Sequence, residues 1–197
     1  MSHPDPAPQP PPPPQPSADA LEHARAQWRW RGQARPPFAV PPAAGQESVW
    51  DYPRPPRLVP DAREVVVHWR GQVVARTTRA LRLLETAHPP TFYLPPADVN
   101  AALLQPAPGS SFCEWKGPAR YWHLVDGAHT LRAVAWSYPQ PLPGSEAVTG
   151  HLAFYAHDLH CTVGGAAVRP QPGGFYGGWI TPELVGPFKG DPGSEGW

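Results

Sequence analysis

Cysteine is nearly absent: Cys113 and Cys161 are the only two in 197 residues. Two thiols cannot build a disulfide framework, and neither belongs to a Cys-x-x-Cys pair, so a four-thiolate zinc site is excluded. Charge is scarce as well, at 16% of residues, and sixteen basic side chains cancel sixteen acidic ones. With no summed positive field to draw the chain to a phosphate backbone or an anionic surface, nucleic acid is disfavoured as a partner. Long apolar runs are missing too. Val65-Val66-Val67 and Ala101-Ala102-Leu103-Leu104 fall far short of the ~20 residues that cross a bilayer, which argues against a membrane protein. The start, Met1-Ser2-His3-Pro4-Asp5-Pro6, has neither the basic opening nor the apolar stretch of a signal peptide, and a cytoplasmic location with reduced thiols is the expectation.

What the chain has in excess is proline and tryptophan, 32 and nine residues. From Pro4 to Pro16 it is almost wholly proline, alanine and glutamine, a composition that favours extended polyproline II with nothing to bury. The leader through about Ala44 is therefore expected to be disordered and dispensable, as a spacer or, in a further reading, an adaptor segment for a proline-binding partner. Within it Ser17 caps a short helix, in the range of about residues 18–31, on which Leu21, Ala24 and Trp28 share a face. Arg25, Arg29, Arg31 and Arg35 with Trp28 and Trp30 between them form the one basic, aromatic patch. It reads either as an RNA grip or as a solvated helix with two packing tryptophans.

Regular folding is expected from Glu47, giving a leader over 1–46, a β domain over 47–169 and a glycine, proline and aromatic strap over 170–197. Glu64 to Trp69 and Gln72 to Thr77 flank Arg70-Gly71 and predict a hairpin with Val65, Val67 and Trp69 on one face. Ala119 to Val125 and Thr130 to Tyr138 flank Asp126-Gly127 and predict another, with Tyr121, His123 and Val125 alternating against Trp122 and Leu124. His151 to Ala156 and Leu159 to Val163 predict a third strand pair, followed by the turn Gly164-Gly165. Leucines three or four apart predict short helices over Thr78 to Glu85 and Pro96 to Leu104. Many short strands with frequent turns and little helix point to a mainly β, antiparallel barrel, sandwich or tent.

The stretch Thr77 to Pro95 (TTRALRLLETAHPPTFYLP), the block Ser111 to Gly117 (SFCEWKG), Ala135-Trp136-Ser137-Tyr138-Pro139 and Gly150-His151-Leu152-Ala153-Phe154-Tyr155 together resemble the DUF427 family, over roughly Glu47 to the C-terminus. The ending Gly174 to Pro182 resembles a subgroup extension. The resemblance implies a β-tent or Mss4-like small domain. It also brings a nucleotidyltransferase label.

Such a transferase needs clustered carboxylates to hold magnesium against a triphosphate. Asp126 and Asp158 each stand without a second carboxylate after a Gly-Ser turn, and no phosphate loop is present. His157, His160 and Cys161 are the densest metal-ligating group, but neighbouring strand residues face opposite ways, so no metal and no cofactor are expected. The strongest candidate site is Glu85, His88, Tyr93 and Lys116, polar residues in the two best-matching blocks, converging on a pocket for a small-molecule ligand. Trp115, Tyr121, Trp136 and Tyr138 would wall it. Two bland readings stay open beside this: Glu85 pairs with Lys116, and His88 is a satisfied turn residue ahead of Pro89. Cys113 reads as a small packed residue rather than a nucleophile. The oligomeric state and any reaction are open.

Overall fold

A computed structural model describes residues 13–197; most of the proline tract from Pro4 lies outside the described residues. The first regular element among the described residues is helix α1 (Ala18–Ala26), opened by Ser17, whose side-chain oxygen accepts from the Ala20 N–H at 3.2 Å. No residue of α1 is buried. The helix is held instead at its last turn, where the Arg25 side chain donates to the Glu114 carbonyl and the Arg25 carbonyl accepts from Arg31.

Fifteen strands come after, in chain order β1 (Glu47–Ser48), β2 (Arg57–Asp61), β3 (Val65–Trp69), β4 (Gln72–Thr77), β5 (Ala80–Leu84), β6 (Thr91–Tyr93), β7 (Leu104–Cys113) and β8 (Gly117–Asp126). They continue with β9 (His129–Ser137), β10 (Leu152–Phe154), β11 (His160–Val163), β12 (Ala166–Ala167), β13 (Arg169–Pro170), β14 (Trp179–Ile180) and β15 (Leu184–Val185). Two four-stranded sheets run in the orders β10-β9-β8-β7 and β12-β11-β3-β4, and a three-stranded sheet in the order β2-β5-β6. All pairings within these three sheets are antiparallel, so the mainly β class read from the sequence is the observed one. The first strand and the last are tied together as a short parallel pair, β1 with β15, and the tail is tied to itself by β13 with β14. Among the described residues no helix is long and apolar enough to cross a membrane.

Both expected hairpins form, β3–β4 and β8–β9, and Gly71 and Gly127 take the positive φ their turns require. The alternation along β8 is broken by a bulge between Trp122 and Leu124, where the Ala133 N–H donates to His123 Nδ1 at 2.8 Å. Three expectations fail. Within residues 78–85 the chain forms strand β5 rather than a helix: β2 and β6 pair with its two edges, while Ala80, Leu83 and Leu84 are buried in three different clusters on its two faces, and an apolar run buried on two sides carries no clean period. Pro96 to Leu104 gives only two short 3-10 turns, Pro96–Asp98 and Ala101–Leu103, before β7 begins. Strands β10 and β11 do not pair with each other: β10 joins β9 and β11 joins β3, so this segment crosses from one sheet to another.

Three packed clusters hold the fold. The largest gathers Val65, Val67, Phe92, Leu94, Leu124, Phe154, Val163 and Trp179. A second, of Leu83, Tyr93, Ala119, Trp136, Tyr138, Val148 and Ala153, underlies the candidate site. The third joins Val49, Trp50, Tyr52, Leu84, Ala87 and Leu184, with Trp30, Phe188 and Trp197 packed against it.

That third cluster corrects the reading of the leader between α1 and Glu47. Trp30 meets Trp50 edge-on at 6.2 Å, and Phe38 meets Trp50 at 5.2 Å and stacks on Trp197 at 5.1 Å. Arg35 clasps Asp51 through two hydrogen bonds of 2.7 Å. From Trp28 to Phe38 the leader is docked, since partly buried aromatic contacts and the Arg35–Asp51 pair offset the entropy of ordering a proline-rich segment.

Candidate functional site

The site begins with a turn. After β5 the chain reverses through Glu85 to His88, with the His88 N–H donating to the Glu85 carbonyl at 3.0 Å and Ala87 at φ 70°. Ala87 is tied on both sides, its N–H to Val49 O and its carbonyl to the Lys189 N–H at 2.8 Å. Facing it, the β7–β8 turn presents Glu114, Trp115 and Lys116. Gly117 closes that turn at φ 93°, the Lys116 carbonyl accepts from the Leu142 N–H at 3.0 Å, and the Trp115 carbonyl accepts from Ser145 Oγ at 3.2 Å. Two rigid turns from different sheets thus mount polar side chains toward one another.

Between them lies a cavity of about 290 Å³. All eight residues named from the sequence line it: Glu85, His88, Tyr93, Lys116, Trp115, Tyr121, Trp136 and Tyr138. The register explains the aromatic wall, because Tyr121 on β8 stands directly opposite Trp136 on β9. Neighbouring strands therefore put both rings on one face. Trp136 meets Tyr155 at 4.5 Å, Tyr93 meets Tyr138 at 6.3 Å, and Ser111 Oγ lies 2.8 Å from Tyr121 Oη.

Glu85 does not pair with Lys116. Its Oε1 accepts from Arg54 Nε at 3.3 Å, and the wholly buried Arg54 side chain also donates to Thr86 O and Trp30 O, at 2.9 and 3.0 Å. Lys116 is 7% exposed and lies with its Nζ 5.7 Å from the centroid of the Tyr138 ring. Among the described residues it forms no ion pair with a carboxylate. Burial works to lower the Lys116 pKa, but Cys113, Tyr93 and Glu85 beside it outweigh this and move it up, so the group stays an ammonium rather than a free amine. Burial pushes the Tyr93 hydroxyl up to about 12, and Tyr138 rises for the same first reason.

His88 is fixed by Gln171. The Gln171 carbonyl oxygen accepts from the Gly178 N–H at 3.0 Å, so its amide nitrogen must donate to Lys189 O at 2.8 Å and to His88 Nδ1 at 3.0 Å. An acceptor Nδ1 places the imidazole proton on Nε2. Burial, followed by the charges of Arg54, Lys189 and Lys116, holds the His88 pKa well below the usual 6.5. The unfolded chain takes up that proton near pH 6.5 and the folded one only well below it, so His88 subtracts stability as the pH falls beneath about 6.5. The slope approaches about 1.4 kcal/mol per pH unit. His88→Gln is expected to remove this loss between pH 6.5 and 5, read by chemical denaturation across that range. Equal slopes in both proteins would show that His88 is protonated in the fold.

Sequence reasoning missed half of the rim. Trp28 covers one side, its Nε1 donating to Glu114 Oε1 at 3.0 Å while its ring lies 4.5 Å from both the Arg54 guanidinium and Lys189 Nζ. Arg25 reinforces this with two hydrogen bonds to the Glu114 carbonyl, 2.9 and 2.7 Å long. Gln171, Tyr176 and Gly177 come from the tail. Tyr155, which ends the fourth matching block, and Glu114, beside Trp115, had a local signal; Trp28 and Gln171 had none. Cys113 also lines the cavity, its Sγ 3.8 Å from Glu114 Oε2. In the other group considered, Cys161 is buried in the main core while His160 is exposed, so the two point apart.

Gly177 shows how closely the tail approaches. A Cβ there would sit 2.1 Å from the tip of the Trp136 ring. Gly177→Ala is expected to drive that ring into the cavity, changing Trp136 fluorescence and weakening any ligand; an unchanged indole signal from Trp136 would show that the tail can lift away.

The family described as "Domain of unknown function (DUF427)" matches residues 57–165, more than half of the chain. The chain belongs to the DUF427 family. No curated protein matches it. The DUF427 region supplies the floor of the cavity, every residue from Leu83 to Tyr155, whereas Trp28, Gln171, Phe175, Tyr176 and Gly177 of the rim lie outside it. The family resemblance read from the four sequence blocks stands, and all four lie within the matched span.

Proposed function

We propose that this DUF427 protein is a small-ligand-binding module, with the ligand held between aromatic walls and oriented by Lys116 and His88. One observation carries this reading: turns and strands from separate sheets converge on one concave space in which a buried ammonium, a neutral imidazole and two protonated phenols lie beside aromatic rings. Convergent polar groups in an apolar cleft are what ligand sites share. The separate antiparallel sheets around it support the tent-like architecture that the resemblance implies. The nucleotidyltransferase label finds less support, because neither Asp126 nor Asp158 lines the cavity. Its two carboxylates, Glu85 and Glu114, are already engaged by Arg54 and by Trp28 and Cys113.

A thermal-shift screen of anionic, neutral and cationic metabolites tests the reading. A compound present at a hundredfold its Kd is expected to add about 2.7 kcal/mol, roughly 5–10 °C in melting temperature for a domain of this size. Trp136→Ala should abolish that shift. A shift that survives Trp136→Ala would place the ligand elsewhere.

A further inference from the structure

Lys116 decides which ligand chemistry the cavity favours. A buried ammonium is costly unless an opposite charge or a set of acceptors meets it; Lys116 has Cys113 as a hydrogen-bond partner and Tyr93 and Glu85 nearby, but among the described residues no carboxylate lies within ion-pair distance of it. The two carboxylates in the cavity wall are committed, Glu85 to Arg54 at 3.3 Å and Glu114 to the Trp28 indole at 3.0 Å. They offer little to a cationic guest. Groups able to donate stand beside Lys116: the His88 Nε2–H fixed by Gln171, and the phenols of Tyr93 and Tyr138. A ligand group that accepts hydrogen bonds and bears negative charge satisfies this set, and a charge-assisted contact is stronger than a neutral one.

Size and shape narrow the class. A space of about 290 Å³ lies at the small end of ligand pockets, which run from about 300 to 1,000 Å³, and suits a guest built on one ring better than a nucleoside triphosphate. Trp136 and Tyr155, 4.5 Å apart and inclined at 42°, with Tyr121 opposite Trp136, offer ring faces on which a planar body can lie. Building on the ligand-binding reading above, we propose that the cavity takes a small planar monoanion. In this pose a carboxylate on a single ring or conjugated chain lies against Lys116, and the planar body lies along Trp136 and Tyr155. The lysine acts as a fixed positive charge and forms no covalent bond to the ligand.

Calorimetric titration of the full chain with benzoate, its neutral analogue benzamide and the cation benzylamine tests this, since the three share one ring and differ in charge. Benzoate is expected to bind at least about tenfold more tightly than benzamide, with benzylamine weakest. Lys116→Met, close in shape to lysine, should erase the preference for benzoate while leaving benzamide affinity within about threefold. The wild-type comparison decides the question by itself if that variant fails to fold. Benzamide or benzylamine binding as tightly as benzoate would overturn the proposal, as would a benzoate preference that persists in Lys116→Met or no benzoate binding at millimolar concentration. Each of these would still leave the ligand-binding module standing if a neutral or cationic metabolite produced a Trp136-dependent thermal shift.

Discussion

Trp179→Ala is expected to destabilise the protein by about 3–5 kcal/mol, a fall in melting temperature on the order of 10 °C. Trp179 is 1% exposed, stacks on Phe92 at 5.2 Å and donates from Nε1 to the Phe154 carbonyl at 2.8 Å, while its own N–H reaches Pro90 O at 2.9 Å. Removing the ring leaves a void in the main cluster and a buried carbonyl without its donor, and both effects act in the same direction. Because β14 anchors the tail that carries Gly177 and pairs with the strand next to Gln171, ligand affinity should fall with stability. Phe175→Ala, at a side chain 73% exposed, provides the contrast and should change stability by no more than about 0.5 kcal/mol. Thermal denaturation of the two variants side by side measures this; equal melting temperatures would mean that the tail is not fastened to the core by Trp179.

A chain beginning at Glu47 is expected to lose at least about 3 kcal/mol relative to the full chain, from aromatic packing and hydrogen bonds lost together. Such a chain lacks Trp30 and Phe38, which pack on Trp50, and the carbonyl of Trp30 that accepts from the buried Arg54. It also uncovers one side of the cavity, where Trp28 joins Glu114 across the rim. The truncation should therefore weaken ligand binding as well as stability, whereas removing residues 1–12 alone should preserve the docked contacts. Melting temperatures of the two truncated chains distinguish these cases. A chain from Glu47 that melts with the full protein would return the leader to the role of a passive spacer.

The contrast between what was legible and what was not follows from the range of the interactions involved. Hairpins at Arg70-Gly71 and Asp126-Gly127 were readable because a turn and its flanking alternation lie within a dozen residues. Strand β5 was not, because Ala80-Leu81-Arg82-Leu83-Leu84 faces apolar neighbours on both sides and its leucines fit either period. Cavity-lining residues in the DUF427 blocks could be named because polar groups there stand among prolines and glycines that fix the backbone. Their partners could not. Arg54 lies 31 positions before Glu85, and Gln171 lies 83 positions after His88, so neither leaves a local trace. Trp28 misled for a related reason: its ring lies beside Arg54 and Lys189, cations contributed by distant loops, while its own neighbours read as a solvated basic helix.

The nine tryptophans provide the most direct test of the binding site, because each contributes one indole N–H resonance in a nitrogen-15 correlation spectrum. Trp28, Trp115 and Trp136 line the cavity, whereas Trp30, Trp50, Trp69, Trp122, Trp179 and Trp197 do not. Titrating the most stabilising compound of the thermal-shift screen should move the first three signals in a saturable, concerted way and leave Trp69 and Trp122 in place. Saturable movement confined to tryptophans outside the cavity, or no compound that perturbs Trp28, Trp115 and Trp136, would contradict a ligand site at Lys116.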